Sequence, residues 1–151
     1  TYGYAEMRAI ISEGRGLWPA FWLLPISNQP LPEINIMEIL GHEPDLVYMC
    51  FHYRDDLGAI QHETSSWRNL SSFADWHTYA VNWQPDTIVW YIDGLERFRI
   101  DNSTIIPREP MYLIANLAVG GNWGGPPDSD TSFPSSYVID YIKVWQLNND
   151  D

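Results

Sequence analysis

Two glutamates, Glu33 and Glu38, lie five residues apart in the apolar, β-prone run Glu33-Ile34-Asn35-Ile36-Met37-Glu38. Side chains alternate between the two faces of a strand, so Glu33 and Asn35 share one face while Glu38 falls on the other. A one-residue bulge near Ile36-Met37 would return Glu38 to the face of Glu33. Two carboxyl groups facing one cleft can hydrolyse a glycosidic bond, because one protonates the leaving oxygen and the other attacks or activates water. The spacing alone fits a strand with two solvated glutamates equally well.

The composition favours a neutral ligand over a charged one. The chain has 151 residues, enough for one domain with a real core, and a formal net charge of -12 with Lys143 as its single lysine. This charge argues against nucleic acid, an anionic membrane or an acidic polysaccharide as a partner. Aromatic residues make up 15% of the chain, including 8 Trp and 9 Tyr. Such rings stack on the apolar faces of sugars, and they also fill β-sandwich cores.

Short β-prone runs separated by Gly, Pro, Asn and Asp dominate the sequence, and helical periodicity is nearly absent. Asp93-Gly94 predicts a tight hairpin between two such runs, and Ser71–Trp76 is predicted to hold a short helical turn. About ten short strands in one chain predict two antiparallel sheets packed face to face. The predicted strands are Tyr2–Ile11, Ala20–Leu24, Glu33–Leu40, Leu46–Tyr53, Ala59–Thr64, His77–Gln84, Thr87–Ile92, Glu96–Ile100, Met111–Ala118 and Tyr137–Gln146.

Four segments, taken together and in this order, resemble glycoside hydrolase family 16 in its laminarinase-like (endo-β-1,3-glucanase) branch. They are Tyr2–Ala9, Gly14–Pro25, Pro32–Pro44 and Pro110–Trp123. The resemblance implies an all-β jelly-roll sandwich with a concave cleft, forming one catalytic domain over residues 1–151. It also implies retaining hydrolysis of β-1,3-glucan, with mixed β-1,3-1,4-glucan as a further candidate substrate. Roughly the first third of the family's domain has no counterpart here, which predicts further strands upstream.

The same resemblance implies roles for three residues of the first run. Glu33 falls on the nucleophile and Glu38 on the general acid/base. A general acid must be protonated near neutral pH, so the pKa of Glu38 must lie above the value of about 4.3 for a free glutamate. Asn35 stands where the family normally has Asp. An amide can donate a hydrogen bond to Glu33, but it cannot hold a negative charge. We therefore expect either weak hydrolysis or a shifted pH optimum, unless other residues compensate.

Six further residues are predicted to bind substrate. Trp18 and Trp22 are assigned to sugar stacking by resemblance, with core packing as the alternative for Trp22. Trp123, on a glycine-rich loop, is predicted to form a stacking platform at the cleft edge rather than part of the core. Asn116 lies mid-strand among apolar residues, where it either binds sugar hydroxyls or is satisfied structurally. The other two are His52, which either is the family's cleft histidine, as the resemblance implies, or is merely satisfied structurally, and Arg15, predicted at the cleft rim.

No cofactor is predicted to be needed for catalysis. Asp140 is similar to the family's calcium-binding Asp on the convex side, so a structural calcium is a further expectation, although calcium takes 6–8 oxygen ligands. Cys50 is a lone cysteine, which rules out an internal disulfide and predicts a small buried side chain. Unpaired sheet edges would invite association, so the oligomeric state stays open.

Three functions remain open on this basis. The first is a secreted or extracellular endo-β-1,3-glucanase, with secretion inferred from a polymeric substrate. The second is a weak or inactive β-glucan-binding module of the same fold, which Asn35 would favour and the two glutamates disfavour. The third is a relative that acts on agar or carrageenan. Sulfated substrates would call for a basic cleft, which 8 Lys and Arg residues in the whole chain hardly provide.

Overall fold

Ten strands form two five-stranded sheets in a computed structural model, which describes residues 1–146. Every paired strand is antiparallel to its neighbour. Sheet A has the order β10-β1-β6-β7-β8, and sheet B has the order β5-β4-β3-β2-β9. The strands are β1 (Gly3–Ile10), β2 (Leu17–Pro25), β3 (Glu33–Ile39), β4 (Leu46–Arg54), β5 (Ile60–Arg68), β6 (His77–Trp83), β7 (Ile88–Ile92), β8 (Leu95–Ile100), β9 (Met111–Val119) and β10 (Val138–Trp145).

The core lies between the two sheets and follows the alternation of the strands. On β2, Leu17, Phe21 and Leu23 point inward and are buried, while Trp18 and Trp22 on the other face are partly exposed. The largest buried side chain is Trp90 of β7, which stacks on Phe98 of the neighbouring strand with ring centroids 4.7 Å apart. Large aromatic rings therefore fill part of the core, as the sequence allowed. The other face of sheet B, which carries Trp18 and Trp22, is not covered by sheet A.

Trp90 also joins the two sheets by a polar contact. Its indole nitrogen donates a buried hydrogen bond of 2.9 Å to the backbone carbonyl of Asn35 on β3. A buried carbonyl needs a hydrogen-bond partner, because leaving it without one costs about 1–3 kcal/mol. Sheet A thus holds the part of β3 that carries Glu33, Asn35 and Glu38.

All ten predicted strands are present, with differences mainly at their ends. The largest differences are at β2, which begins three residues earlier, and at β5, which ends four residues later than predicted. Pro19 fits inside β2 because pairing with β3 starts only at Ala20. The predicted hairpin is confirmed, since Asp93 and Gly94 both have positive φ, 52° and 72°, as a two-residue turn of this kind requires.

The helical turn predicted over Ser71–Trp76 is wrong. The segment is an irregular connection in which Phe73 is fully buried and its amide bonds the carbonyl of Pro44 at 2.8 Å. Ser72 and Asp75 bond nearby backbone amides with their side chains, which competes with helical hydrogen bonds. Across residues 1–146 no helix is long and apolar enough to cross a bilayer.

Candidate active site

A bulge in β3 gathers the polar row on one face of sheet B. Asn35 pairs with Cys50 and Glu38 with Tyr48, so three steps on β3 face two steps on β4. Ile36 and Met37, at the irregularity, are both buried at 1% and 0% exposure. The extra residue returns Glu38 to the face of Glu33 and Asn35. The bulge predicted near Ile36-Met37 is therefore confirmed.

This face of sheet B forms the floor of an open cleft of about 540 Å³. All five strands of the sheet contribute to it, and aromatic, carboxyl, amide and imidazole groups line it. The lining residues are Trp18, Ala20, Trp22, Glu33, Asn35, Glu38, Tyr48, Cys50, His52, His62, Thr64, Asn116, Ala118 and Trp123. A concave site with aromatic walls and a few convergent polar groups is the usual form of a ligand site.

Glu33 is oriented by its neighbour on the same strand. The amide nitrogen of Asn35 donates a hydrogen bond of 2.9 Å to Glu33 Oε1, as the sequence predicted for an amide at this position. On the other side, His52 Nε2 lies 4.0 Å from the same oxygen. Asn35 itself is only 3% exposed. The nucleophile candidate is thus held by a buried neutral donor and faces an imidazole.

Glu38 has the environment of a proton donor. It is 9% exposed, and burial together with the negative charge of Glu33 raises its pKa from 4.5 to about 7. The N–H groups of Trp18 and Asn35 act in the opposite direction and lower the pKa. A carboxyl group with this pKa is partly protonated near neutral pH, which general acid catalysis by the same group requires.

Trp22 and Asn116 meet in the cleft. The two cleft tryptophans of β2 share a face, and the pairing of β2 with β9 runs without a shift from Leu17 to Pro25. The indole nitrogen of Trp22 donates a hydrogen bond of 2.8 Å to Asn116 Oδ1. Trp22 therefore lies in the cleft rather than in the core. This bond gives the side-chain oxygen of Asn116 a structural partner, which is one of the two alternatives for this residue. The bond does not involve the amide nitrogen of Asn116.

Trp123 stands at the edge of the cleft on a loop fixed to the start of β2. The backbone of Gly16 bonds Gly124 at 3.2 Å and Gly120 at 2.7 Å. The Trp123 ring packs edge-on against Trp18 and Tyr48, with centroids 5.1 and 4.9 Å apart, and stays 41% exposed. The structure places Trp123 where a stacking platform was expected, and its role in binding stays a prediction.

Cys50 is the cleft residue that the sequence least suggested. It is buried as predicted, but its thiol faces the cleft, 3.2 Å from His52 Nε2, instead of the core. Burial and the charge of Glu38 raise the pKa of this thiol to about 11, so it stays protonated. Alternation along β4 could have found it, because Tyr48 and Cys50 precede His52 by four and two residues and share its face.

Arg15 is not among the residues that line the cleft, and its place at the cleft rim stays a prediction. Gly14 and Gly16 flank it with φ of 126° and 80°, and they form a turn that only glycine adopts easily. The turn leaves Arg15 exposed, with its guanidinium beside Gly125 and its carbonyl bonded by Thr131 Oγ1 at 2.7 Å. The Arg15 guanidinium therefore lies next to the loop that carries Trp123.

Asp140 lies on β10 of sheet A, outside the cleft. Its carboxylate accepts a hydrogen bond of 2.7 Å from the Arg8 guanidinium. No group of three His, Cys, Asp or Glu side chains within residues 1–146 is arranged to hold a metal. The Arg8 guanidinium occupies one oxygen of this carboxylate and disfavours a second cation there. Calcium binding near Asp140 stays an untested prediction.

Several characterised proteins are similar to this chain over nearly its whole length. The endo-1,3-1,4-β-glycanase ExsH of Rhizobium meliloti is 38% identical over 150 residues, which cover 99% of this chain and 31% of that protein. A β-glucanase of Rhodothermus marinus is 36% identical over 167 residues, which cover 97% of this chain and 58% of that protein. The chain thus spans about a third to three fifths of these relatives.

A solved structure and a family model agree with these relatives. The catalytic domain of an endo-1,3-β-glucanase (laminarinase) from Thermotoga petrophila RKU-1 superposes with a TM-score of 0.87 at 33% identity, covering 99% of this chain and 65% of that domain. The predicted all-β jelly-roll sandwich is therefore confirmed. The family model "Glycosyl hydrolases family 16" matches residues 1–143, and the chain belongs to glycoside hydrolase family 16.

Proposed function

We propose that this chain is the catalytic part of a retaining endo-hydrolase of β-1,3-glucan, with mixed β-1,3-1,4-glucan as a second substrate. The observation that supports it best is the pairing of Glu33 with a Glu38 whose pKa is raised to about 7, on the floor of an aromatic-walled cleft. The cleft is open, which suits attack within a polymer. Names of relatives such as endo-1,3-1,4-β-glycanase and β-glucanase support the substrate class.

The proposed reaction is a double displacement with two carboxyl groups. Glu33, oriented by Asn35, attacks the anomeric carbon while Glu38 transfers its proton to the glycosidic oxygen, and the bond between that carbon and the leaving sugar breaks. The product is an ester between the glycosyl unit and Glu33. Glu38, now ionised, takes a proton from water as the water oxygen attacks the same carbon, which releases Glu33 and reprotonates Glu38.

Hydrolysis of laminarin tests this function. Wild-type protein should release reducing sugars, Glu33→Ala should not, and the first product seen by proton NMR should be the β-anomer. Early formation of the α-anomer would contradict the retaining mechanism. Oligosaccharides of mixed length should appear early, because an exo-acting enzyme would release a single short product.

A glucan-binding module is the second candidate, and Asn35 is the observation in its favour. The family's carboxylate is missing at this position, and the amide neither holds charge nor shares a proton. Laminarin binding by the wild-type chain without release of reducing sugars would decide for the binder. If the wild-type chain both binds laminarin and releases reducing sugars, and Glu33→Ala loses the release, the result decides for the hydrolase. This holds whether or not the variant still binds laminarin.

Action outside the cell completes the proposal. A glucan polymer is too large to enter a cell intact, so a hydrolase of this kind is useful where the polymer is. Activity found in the medium of the producing cells would support secretion, whereas activity confined to washed and broken cells would contradict it.

A further inference from the structure

The indole nitrogen of Trp18 is a buried donor that no acceptor meets at normal hydrogen-bond geometry. It is shielded from solvent and makes no hydrogen bond of normal geometry, although its ring lines the cleft. The other cleft tryptophan of β2, Trp22, has satisfied its nitrogen with Asn116. Buried donors in native proteins nearly always have a hydrogen-bond partner, so a buried donor without a regular partner in a cleft indicates a functional role.

The position of Trp18 directs this donor towards Glu38. Ala20 pairs with Glu38 across β2 and β3, and Trp18 lies two residues before Ala20 on the same face. A diagonal neighbour of this kind is within reach of a large aromatic side chain. Trp123 packs edge-on against Trp18 with ring centroids 5.1 Å apart, which restrains the orientation of the Trp18 indole. The lowering of the Glu38 pKa by the Trp18 N–H agrees with this placement.

We propose that Trp18 is a positioning residue whose N–H donates to one carboxyl oxygen of Glu38. The proton of the acid then occupies the other oxygen, which faces the glycosidic oxygen in the cleft. The bond strengthens when Glu38 ionises, because a charged acceptor makes the stronger hydrogen bond. This role rests on the proposed hydrolase and adds to sugar stacking, the role that the resemblance implied for Trp18.

Other titratable groups also face Glu38, so a test must observe Trp18 itself. Glu33 faces it from its own strand, Tyr48, Cys50 and His52 from β4, and His62 from β5. The side chains that β2 and β9 contribute to the cleft are Trp18, Ala20, Trp22, Asn116 and Ala118, and none of these titrates. A pH profile alone could therefore reflect several carboxyl, thiol or imidazole groups.

NMR of the indole N–H groups provides the direct test and needs no turnover. In ¹⁵N-tryptophan-labelled wild-type protein, the Trp18 indole resonance should titrate with a midpoint near the pKa of Glu38, about 7. In Glu38→Gln this titration should disappear, while the indole of Trp22, bonded to Asn116, should shift much less in both proteins. A Trp18 resonance that stays flat from pH 5 to 9, or that titrates unchanged in Glu38→Gln, would overturn the proposal.

Kinetics of Trp18→Phe then separate positioning from stacking. The variant keeps an aromatic ring but lacks the donor, so the basic limb of kcat/KM should move up by roughly half a pH unit to one unit, and kcat should fall more than KM rises. Trp123→Phe is the matched control, in which KM should rise with the basic limb unmoved. A Trp18→Phe variant that changes KM alone would make Trp18 a stacking residue only. If Trp18→Phe does not fold, the indole titration of wild-type protein decides. Absence of hydrolysis in wild-type protein would refute the proposed function and leave that titration valid.

Discussion

Two strand glutamates show how differently the sheets treat the same side chain. Glu6, on the outer face of β1 in sheet A, accepts hydrogen bonds from Tyr4 at 2.9 Å and Tyr141 at 2.7 Å, one on each oxygen. Glu38, on the cleft face of β3 in sheet B, is 9% exposed and is subject to the negative charge of Glu33. Both carboxyl groups have neutral donors nearby, but around Glu38 burial and a like charge outweigh them.

The difference favours a chemical role for Glu38 and a structural role for Glu6. On sheet A, the hydrogen bond that Tyr141 donates to Glu6 is the main cause that raises the pKa of Tyr141. Around Glu38 the effect falls on the carboxyl group itself, whose pKa rises to about 7. A glutamate suits proton transfer where its surroundings disfavour its charge, and it ties strands together where donors occupy both oxygens.

The largest expected effect separates the two glutamates by activity. Glu38→Gln should lower kcat on laminarin by about 10³-fold, because general acid–base catalysis contributes roughly 10²–10⁴-fold. Glu6→Gln keeps the shape of the side chain on the opposite sheet and should leave kcat and KM near wild-type values. Initial rates of reducing-sugar release measure both. Equal losses in the two variants would show that the contrast between the sheets has no catalytic meaning.

The same contrast should appear in the pH dependence of stability. The folded pKa of Glu38, about 7, exceeds the unfolded value of 4.5, so the folded state binds the proton more tightly. The free energy of unfolding should therefore fall as pH rises from about 4.5 to 7, by about 2–3 kcal/mol from this group. Glu38→Gln removes that contribution and should be more stable than wild-type protein at pH 8 but not at pH 4.

Urea unfolding of both proteins at pH 4, 6 and 8 measures the difference directly. Subtracting the two curves cancels the other titrating groups. A stability difference that is constant with pH would mean that Glu38 titrates normally in the folded protein, and the acid/base assignment would then lose its electrostatic basis.

A smaller effect tests the contact that joins sheet A to the bulge. Trp90→Phe removes the donor to the Asn35 carbonyl and should cost about 1–3 kcal/mol of unfolding free energy, plus the loss of ring volume. Trp83→Phe is the matched control, because Trp83 donates an equally buried bond of 3.1 Å to the Pro107 carbonyl, away from β3. Both variants should be destabilised, but only Trp90→Phe should also lower kcat. Equal kcat values in the two variants would contradict a role of Trp90 in shaping the bulge.

Strand alternation and turn preferences were enough to predict several local features of the structure. Alternation and the chemistry of paired carboxylates were enough to require a bulge near Met37, and the structure has it. Glycines and a hairpin dipeptide marked the loop of Trp123 and the turn at Asp93-Gly94. These features depend on residues close together in the chain, where strand periodicity and turn preferences apply.

Contacts between distant strands could not be predicted in this way. The bond of Trp22 to Asn116 links residues 94 positions apart, and that of Trp90 to Asn35 links residues 55 apart. The two glycines that flank Arg15 turn the chain before β2, and strand alternation does not show which way Arg15 then points. Such features depend on sheet order and backbone direction, which a single sequence leaves open.

The smallest predicted effect concerns the residue between the two glutamates. Asn35→Asp replaces a buried neutral donor by a carboxylate beside Glu33 and Glu38, so it should raise the pKa of Glu38 further and move the basic limb of kcat/KM up by about one unit. Because the family's usual carboxylate returns, we also expect kcat to rise about tenfold near the optimum. A pH–rate profile of the variant beside wild-type protein tests this, with Asn116→Asp as a control that adds the same charge on β9.

Equal rates and equal pH optima for wild type and Asn35→Asp would show that the cleft compensates for the amide. An equal shift in Asn116→Asp would show that any added negative charge suffices. A shift confined to Asn35→Asp would mean that the amide at position 35, which orients Glu33 without adding charge, sets the pH at which Glu38 can act as an acid.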